Sequence, residues 1–194
     1  LREQWRKTPA PFYSSVDLRN AGFKLAPVDT NLFPAGFNNL NDRFISLAVQ
    51  AAQETLERLL PGCLRILLIP ENHTRNSFYF ENLSTLQDIL EKAGFEVRIG
   101  SLLEEMPHAK EIVLASGARI TLEPIVRVAD QIKVKDFLPC CILLNNDLAN
   151  GIPEMLQGIE HVHGAVLDAV LVPRDEAPTD ASVVGVLPFI VEEV

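Results

Sequence analysis

The chain has 194 residues, 47% of them hydrophobic, with 17 Lys and Arg against 26 Asp and Glu for a formal net charge of −9. That length suits one domain, or one and a fraction, with enough apolar content for a substantial core. The acidic balance disfavours non-specific binding to nucleic acid or anionic lipid, and no apolar run approaches the roughly 20 residues that a membrane helix needs.

The opening LREQWRKTP has no hydrophobic signal core, so a cytoplasmic protein is expected. Trp5, Arg6, Lys7, Phe12 and Tyr13 read as an anchoring segment. Because Leu1 is not Met, the natural N-terminus is expected to be trimmed or to lie upstream. Residues 17–43 follow, reading DLRNAGFKLAPVDTNLFPAGFNNLNDR, with five Asn, three Asp, two Arg and one Lys among three Phe, two Gly and two Pro. Neither helical nor strand periodicity runs through this stretch, and its aromatic content is too high for a flexible linker. Long irregular segments in compact domains are often functional. The expectation is an irregular binding loop presenting amide, carboxylate and guanidinium groups, against the plainer alternative of a proline-punctuated surface loop.

Asn39 or Asn41 can cap a helix from about Asp42 to Leu60, ended by Pro61-Gly62. Its broad apolar stripe (Phe44, Leu47, Ala48, Ala51, Leu56, Leu59) suits a helix packed on a sheet. LRILLI, residues 64–69, reads as a strand buried on both faces. A second amphipathic helix is expected over Tyr79–Ala93, with Gly94 at the left-handed cap position, followed by a strand over Phe95–Ile99. This alternation favours a parallel sheet. Glu111–Ala115 and Arg119–Leu122 form a predicted hairpin around Ser116-Gly117. Pro139–Leu144 is another buried strand, a short helix is plausible near Pro153–Gln157, and Ala165–Val172 and Ser182–Val191 read as further strands.

The three cysteines, Cys63, Cys140 and Cys141, make no disulfide framework and are read as buried thiols of a reducing cytosol. Asn72 and Asn82 match the glycosylation pattern only by chance in the absence of a secretory signal. His161 and His163 would share one side of a strand but have no third ligand nearby.

Polar clusters flank the strands. Besides residues 17–43 they are Glu71-Asn72-His73-Thr74-Arg75-Asn76, after the strand ending at Ile69, and Asn145-Asn146-Asp147, after the strand ending at Leu144. In open α/β sheets ligands lie beyond the carboxyl ends of strands, so these clusters are expected to converge. Arg19, Lys24 and Arg75 suit carboxylates. Asp29 and Asp147 suit an ammonium group, and Asn31, Asn38, Asn76 and Asn146 can fix orientation. His73 can contact substrate, although a strand-end His is as often structural. Each cluster, taken singly, reads as turn capping, whereas together they read as a binding site. No GxxxxGK[ST], GxGxxG or GxSxG motif occurs.

DLRNAGFKLAPVDTNLFPAGFNNL, IPENHTRN and ILLNNDLANGIPE, spanning about residues 5–156, resemble the proteobacterial type of glutamate–cysteine ligase, an ATP-grasp-related family. The resemblance implies a three-layer α/β domain, with a parallel or mixed sheet and flanking helices, of the kind that precedes an ATP-grasp fold. Residues 1–43 would then be a substrate-loop and anchoring segment and residues 44–194 the α/β domain. It also implies ATP-dependent joining of the glutamate γ-carboxylate to the cysteine amine, with ATP and Mg2+ held mainly outside this chain. Glutamate, cysteine and ATP are the implied partners, with a homo-oligomer as a further possibility. His161–Val194 does not match the continuation expected after ILLNND, so the site is expected to be incomplete here. The rival expectations are a non-catalytic amino-acid-binding domain and a structural or dimerisation domain.

Overall fold

The fold is taken from a computed structural model, which describes residues 12–31, 33–71, 76–103, 106–146, 153–157, 159 and 190–193. The first element is a hairpin of β1 (Ser15–Asn20) and β2 (Leu25–Asn31), with β10 (Ile190–Glu193) pairing parallel to β1. This corrects the irregular loop expected over the start of residues 17–43. Gly22, with φ +83°, makes the tight turn, and Asn20 Oδ1 accepts from the Gly22 N–H at 2.8 Å. Alternation is invisible in the sequence for two reasons. The register slips between Asp17 and Leu18, leaving Val28 as an extra bulge residue. Pro27 is also accommodated because β2 is an edge strand, where the missing donor costs no ladder bond.

A single 3-10 turn (Phe37–Asn39) leads to helix α1 (Asp42–Leu59), capped by Asn41, whose Oδ1 accepts from the Arg43 N–H at 3.0 Å. Then come β3 (Arg65–Pro70), helix α2 (Ser77–Lys92) and β4 (Glu96–Ser101), with Gly94 at φ +98° after the second helix as its sequence position predicts. β5 (Lys110–Val113) and β6 (Arg119–Pro124) form the expected antiparallel hairpin. β7 (Val126–Val128) and β8 (Gln131–Lys133) form a small hairpin with no counterpart in the sequence reading. β9 (Cys141–Asn145) closes the main sheet, and Glu154–Leu156 is one 3-10 turn at the place of the expected short helix. Of the late strands expected, Ala165–Val172 lies outside the described residues, and only the end of Ser182–Val191 falls within β10.

The main sheet is mixed, in the order β5-β6-β4-β3-β9, with β6, β4, β3 and β9 parallel and β5 antiparallel at one edge. Strand pleating divides its apolar residues between two cores. Ile66, Leu68, Val97, Ile99, Cys141 and Leu143 face α1 and α2, packing with Ala52, Leu56, Leu83, Leu86 and Leu90. Leu67, Ile69, Ile142 and Leu144 face the opposite side, covered by Ile125, Ile132, Val134, Phe137 and Leu156. Burial on both faces is why LRILLI reads as an unbroken apolar run. On the hairpin side, Arg98 stacks 4.9 Å over the Phe137 ring and lies 3.7 Å from the buried Glu123 carboxylate. Among the described residues no helix is long and apolar enough to cross a membrane.

Two of the expected free thiols are not free. Cys63, in the turn after α1, is disulfide-bonded to Cys140 at the start of β9, with Cα atoms 5.6 Å apart. The sequence separation of 77 residues conceals a pair that parallel packing of β3 against β9 brings together. Cys141 is the buried free thiol, its pKa pushed up to about 12 by burial.

Candidate functional site

The segments flanking the hairpin, Tyr13 before β1 and Pro34–Phe37 after β2, meet the carboxyl ends of β3 and β9. Pleating decides which residue of Asn145-Asn146 points where. Asn145 continues the Cys141, Leu143 side and is buried beneath α2, next to Asn82 and Tyr13. Its Nδ2 donates to the Pro34 carbonyl at 3.0 Å and to Tyr13 Oη at 3.2 Å, and Asn82 Nδ2 donates to its Oδ1 at 3.4 Å. Asn82 Oδ1 in turn accepts from the Phe37 N–H at 2.9 Å. The Tyr13 hydroxyl donates to the Leu144 carbonyl, and the Tyr79 hydroxyl donates to the Asn145 carbonyl at 2.7 Å while accepting from the Glu71 N–H at 2.9 Å. Burial raises both phenol pKa values above the ordinary tyrosine value, so both stay neutral donors. These bonds fasten the Pro34–Phe37 segment, the end of β3 and the end of β9 to one another.

Beside that junction, Ser15, Asp17, Asp29, Asn31, Ala35 and Asn39 line a polar cleft of about 260 Å³. Asp17 and Asp29 are direct cross-strand partners. Like charges placed opposite each other on a sheet repel, so the pair raises the affinity of the cleft for a cation. Asn38 lies beside the lining residue Asn39, and its Nδ2 donates to Asn39 Oδ1 at 3.3 Å. Asn38 Oδ1 is buried and has no hydrogen-bond partner among the described residues, a state that costs about 1–3 kcal/mol. A second, apolar groove of about 270 Å³ lies between α1 and α2, lined by Phe44, Leu47, Ala48, Leu86 and Ile89 among others. Its lining contains no charged or amide side chain, and its side-chain hydroxyls are those of Tyr13 and Ser14.

Of the residues expected from sequence, Asp29 and Asn31 line the polar cleft and Asn38 adjoins it. Arg19 and Lys24 are exposed nearer the hairpin tip and are not among the lining residues. Asn76 caps α2, its Oδ1 accepting from the Phe78 N–H at 3.0 Å. Asn146 donates from Nδ2 to the Pro70 carbonyl at 3.2 Å and so ties the ends of β3 and β9 together. His73, Arg75 and Asp147 lie outside the described residues, as do Asn72, His161 and His163. Asn82, within the other glycosylation pattern, is fully buried.

Sequence reasoning held Asp17 and Asn39 only within the polar stretch 17–43 and Asn145 only within Asn145-Asn146-Asp147, without choosing them individually, and missed Ser15 in the cleft and Tyr13, Tyr79 and Asn82 behind it. For Asn145 a signal existed, since it shares the two-residue period of Cys141 and Leu143. For Asp17 the hairpin register was needed first. Among the described residues no group of three or more His, Cys, Asp or Glu is placed to hold a metal ion.

Comparison with known proteins bears directly on this arrangement. The family model for GshA, glutamate-cysteine ligase, matches residues 1–168. A solved structure described as a candidate gamma-glutamylcysteine synthetase, from Methylobacillus flagellatus KT, is 56% identical with a TM-score of 0.76. The match covers 82% of this chain and 38% of that one, so the chain spans well under half of that protein's length. None of the curated proteins matches the chain. On the family match, which covers most of its length, the chain belongs to the glutamate-cysteine ligase family.

Proposed function

We propose that this chain is the amino-acid-positioning part of a cytoplasmic ligase that joins L-glutamate and L-cysteine, with ATP hydrolysis, to form gamma-glutamylcysteine. The observation that carries the reading is the register pair Asp17–Asp29 set in a polar cleft with Asn31 and Asn39. Two carboxylates give a primary ammonium group a charge partner, and the amides supply donors and acceptors that fix its orientation. Asn38, beside the lining residue Asn39, has an Oδ1 acceptor without a partner among the described residues. Arg19, His73, Arg75, Asn76, Asn146 and Asp147 complete the proposed substrate environment. Of these, Arg19 and Arg75 serve substrate carboxylates, and Asn76 and Asn146 act through the strand ends they brace.

In this reading residues 1–43 form the substrate segment, and residues 44–194 the α/β domain that precedes an ATP-grasp part. ATP activates the glutamate γ-carboxylate when bound, and its ligands and those of Mg2+ belong to the remainder of the ligase. This chain contributes position and electrostatics, holding the amino acid so that the reacting carboxylate and amine meet in one geometry. By itself it is inactive.

The test is ATP-dependent dipeptide synthesis by the full-length enzyme carrying Asp29→Asn. Removing one of two carboxylates from a charged contact should cost about 1.5–3 kcal/mol, seen as a rise in KM for one amino acid with ATP saturation unchanged. Wild-type kinetics in that variant would remove the cleft from the reaction.

A further inference from the structure

We propose that Asn82 and Asn145 are positioning residues, a buried amide pair that sets the wall of the polar cleft without touching substrate. The proposal rests on the ligase reading and extends it to side chains that are not among those lining the polar cleft. Pro34 and Phe37 bracket the short turn containing Ala35, one of the cleft residues, and the 3-10 turn that starts at Phe37 carries Asn39. Both ends of that bracket are fastened to the pair. Asn145 Nδ2 donates to the Pro34 carbonyl at 3.0 Å, and Asn82 Oδ1 accepts from the Phe37 N–H at 2.9 Å.

The partners leave neither amide a choice of orientation. A carbonyl needs the Asn145 NH2, and an N–H needs the Asn82 oxygen, which turns the remaining Asn82 NH2 towards the remaining Asn145 oxygen at 3.4 Å. The two side chains are 0% and 1% exposed, so no bulk water can replace a lost partner. Asn145 also stands at the end of β9 and Asn82 within α2, both packed in the core on the helix side of the main sheet. Tyr79, one helical turn before Asn82, links the same carbonyl end to Glu71 at the β3 tip. The pair therefore transmits the position of the sheet to the segment that carries Ala35 and Asn39, opposite Asp17 and Asp29.

The experiment compares Asn145→Asp, Tyr13→Phe and Leu114→Ala in the full-length enzyme. Asn145→Asp keeps the shape but presents an oxygen to the Pro34 carbonyl, while Tyr13→Phe keeps the ring and removes one partner of Asn145 together with the donor to the Leu144 carbonyl. Leu114 follows β5, at the sheet edge opposite β9, and controls for lost stability alone. At a temperature where all are folded, Asn145→Asp should raise KM for an amino-acid substrate on the order of tenfold, and Tyr13→Phe by less, with KM for ATP within about twofold of wild type. Leu114→Ala should lower the melting temperature and leave every KM alone. Amino-acid KM values that merely follow melting temperature across the three variants would overturn the proposal. If wild type makes no dipeptide, the ligase reading falls separately. The proposal is then decided by calorimetric glutamate binding, which Asn145→Asp must weaken and Leu114→Ala must not.

Discussion

Reducing the Cys63–Cys140 disulfide should lower stability greatly and change the fold little. The bond closes a loop with a sequence separation of 77 residues, for which the chain-entropy relation gives about 4–5 kcal/mol of destabilisation on opening. Measured effects of such cross-links run at about 2–4 kcal/mol, against a total of about 5–15 kcal/mol for a domain. The native geometry has independent support, because the Cys140 N–H donates to the Arg65 carbonyl at 3.0 Å and β3 pairs with β9 from Ile66 to Pro70. The folded spectrum should therefore survive. In urea, with a slope of about 2 kcal/mol/M, the midpoint should fall by about 1–2 M on adding dithiothreitol or in Cys63→Ser/Cys140→Ser. Thiol titration of the unfolded, unreduced chain should find one reactive group, Cys141. Three thiols, together with a midpoint indifferent to reductant, would refute the reasoning. Because a cytosol reduces such bonds, the proposed cytoplasmic enzyme should also keep its activity in reductant, drawing on the packing that remains.

Three further outcomes follow from local geometry. A Cβ added at Gly100 on β4 would meet Ile125 Cγ1 at 2.7 Å and Leu67 Cδ1 at 2.9 Å, so Gly100→Ala should destabilise by about 1–3 kcal/mol. Pairing it with Ile125→Ala should cost less than the sum of the single changes, and strict additivity in urea unfolding would contradict the close approach. Asn41→Ala removes the cap of α1 and should cost about 1 kcal/mol by the same assay, whereas an unchanged midpoint would deny the cap. Glu81 accepts hydrogen bonds from the Ser116 N–H at 2.9 Å and hydroxyl at 2.7 Å, which hold its carboxyl pKa below the ordinary value. Its contribution is therefore full above the unfolded-state pKa and is lost as pH falls through the lower folded value. Glu81→Gln should be less stable than wild type at neutral pH and converge with it in acid, and parallel pH profiles would deny the linkage.

The main sheet was legible because its signals are local. LRILLI, the two capped amphipathic helices, Gly94 and the Ser116-Gly117 turn each announce their element within a few residues. The β1–β2 hairpin was not, since a bulge at Val28 and an edge proline break the two-residue period that marks a strand. Non-local pairing hid the rest. The Cys63–Cys140 bond and the bonds between Asn145 and Pro34, or Asn82 and Phe37, join residues far apart in sequence. Residues 17–43 are rich in ligand-like groups on sequence alone. Which of them face one cleft depended on register, and so Asp17 emerged from the structure while Asp29 had already been chosen from chemistry.

Titration calorimetry of the full-length enzyme with glutamate, cysteine and gamma-glutamylcysteine, repeated on Asp17→Asn/Asp29→Asn, addresses the cleft most directly. The account predicts saturable binding of at least one amino acid by wild type and its loss by tenfold or more (about 1.4 kcal/mol) in the double variant at unchanged melting temperature. Equal affinity in both proteins would show that the ammonium group is held elsewhere.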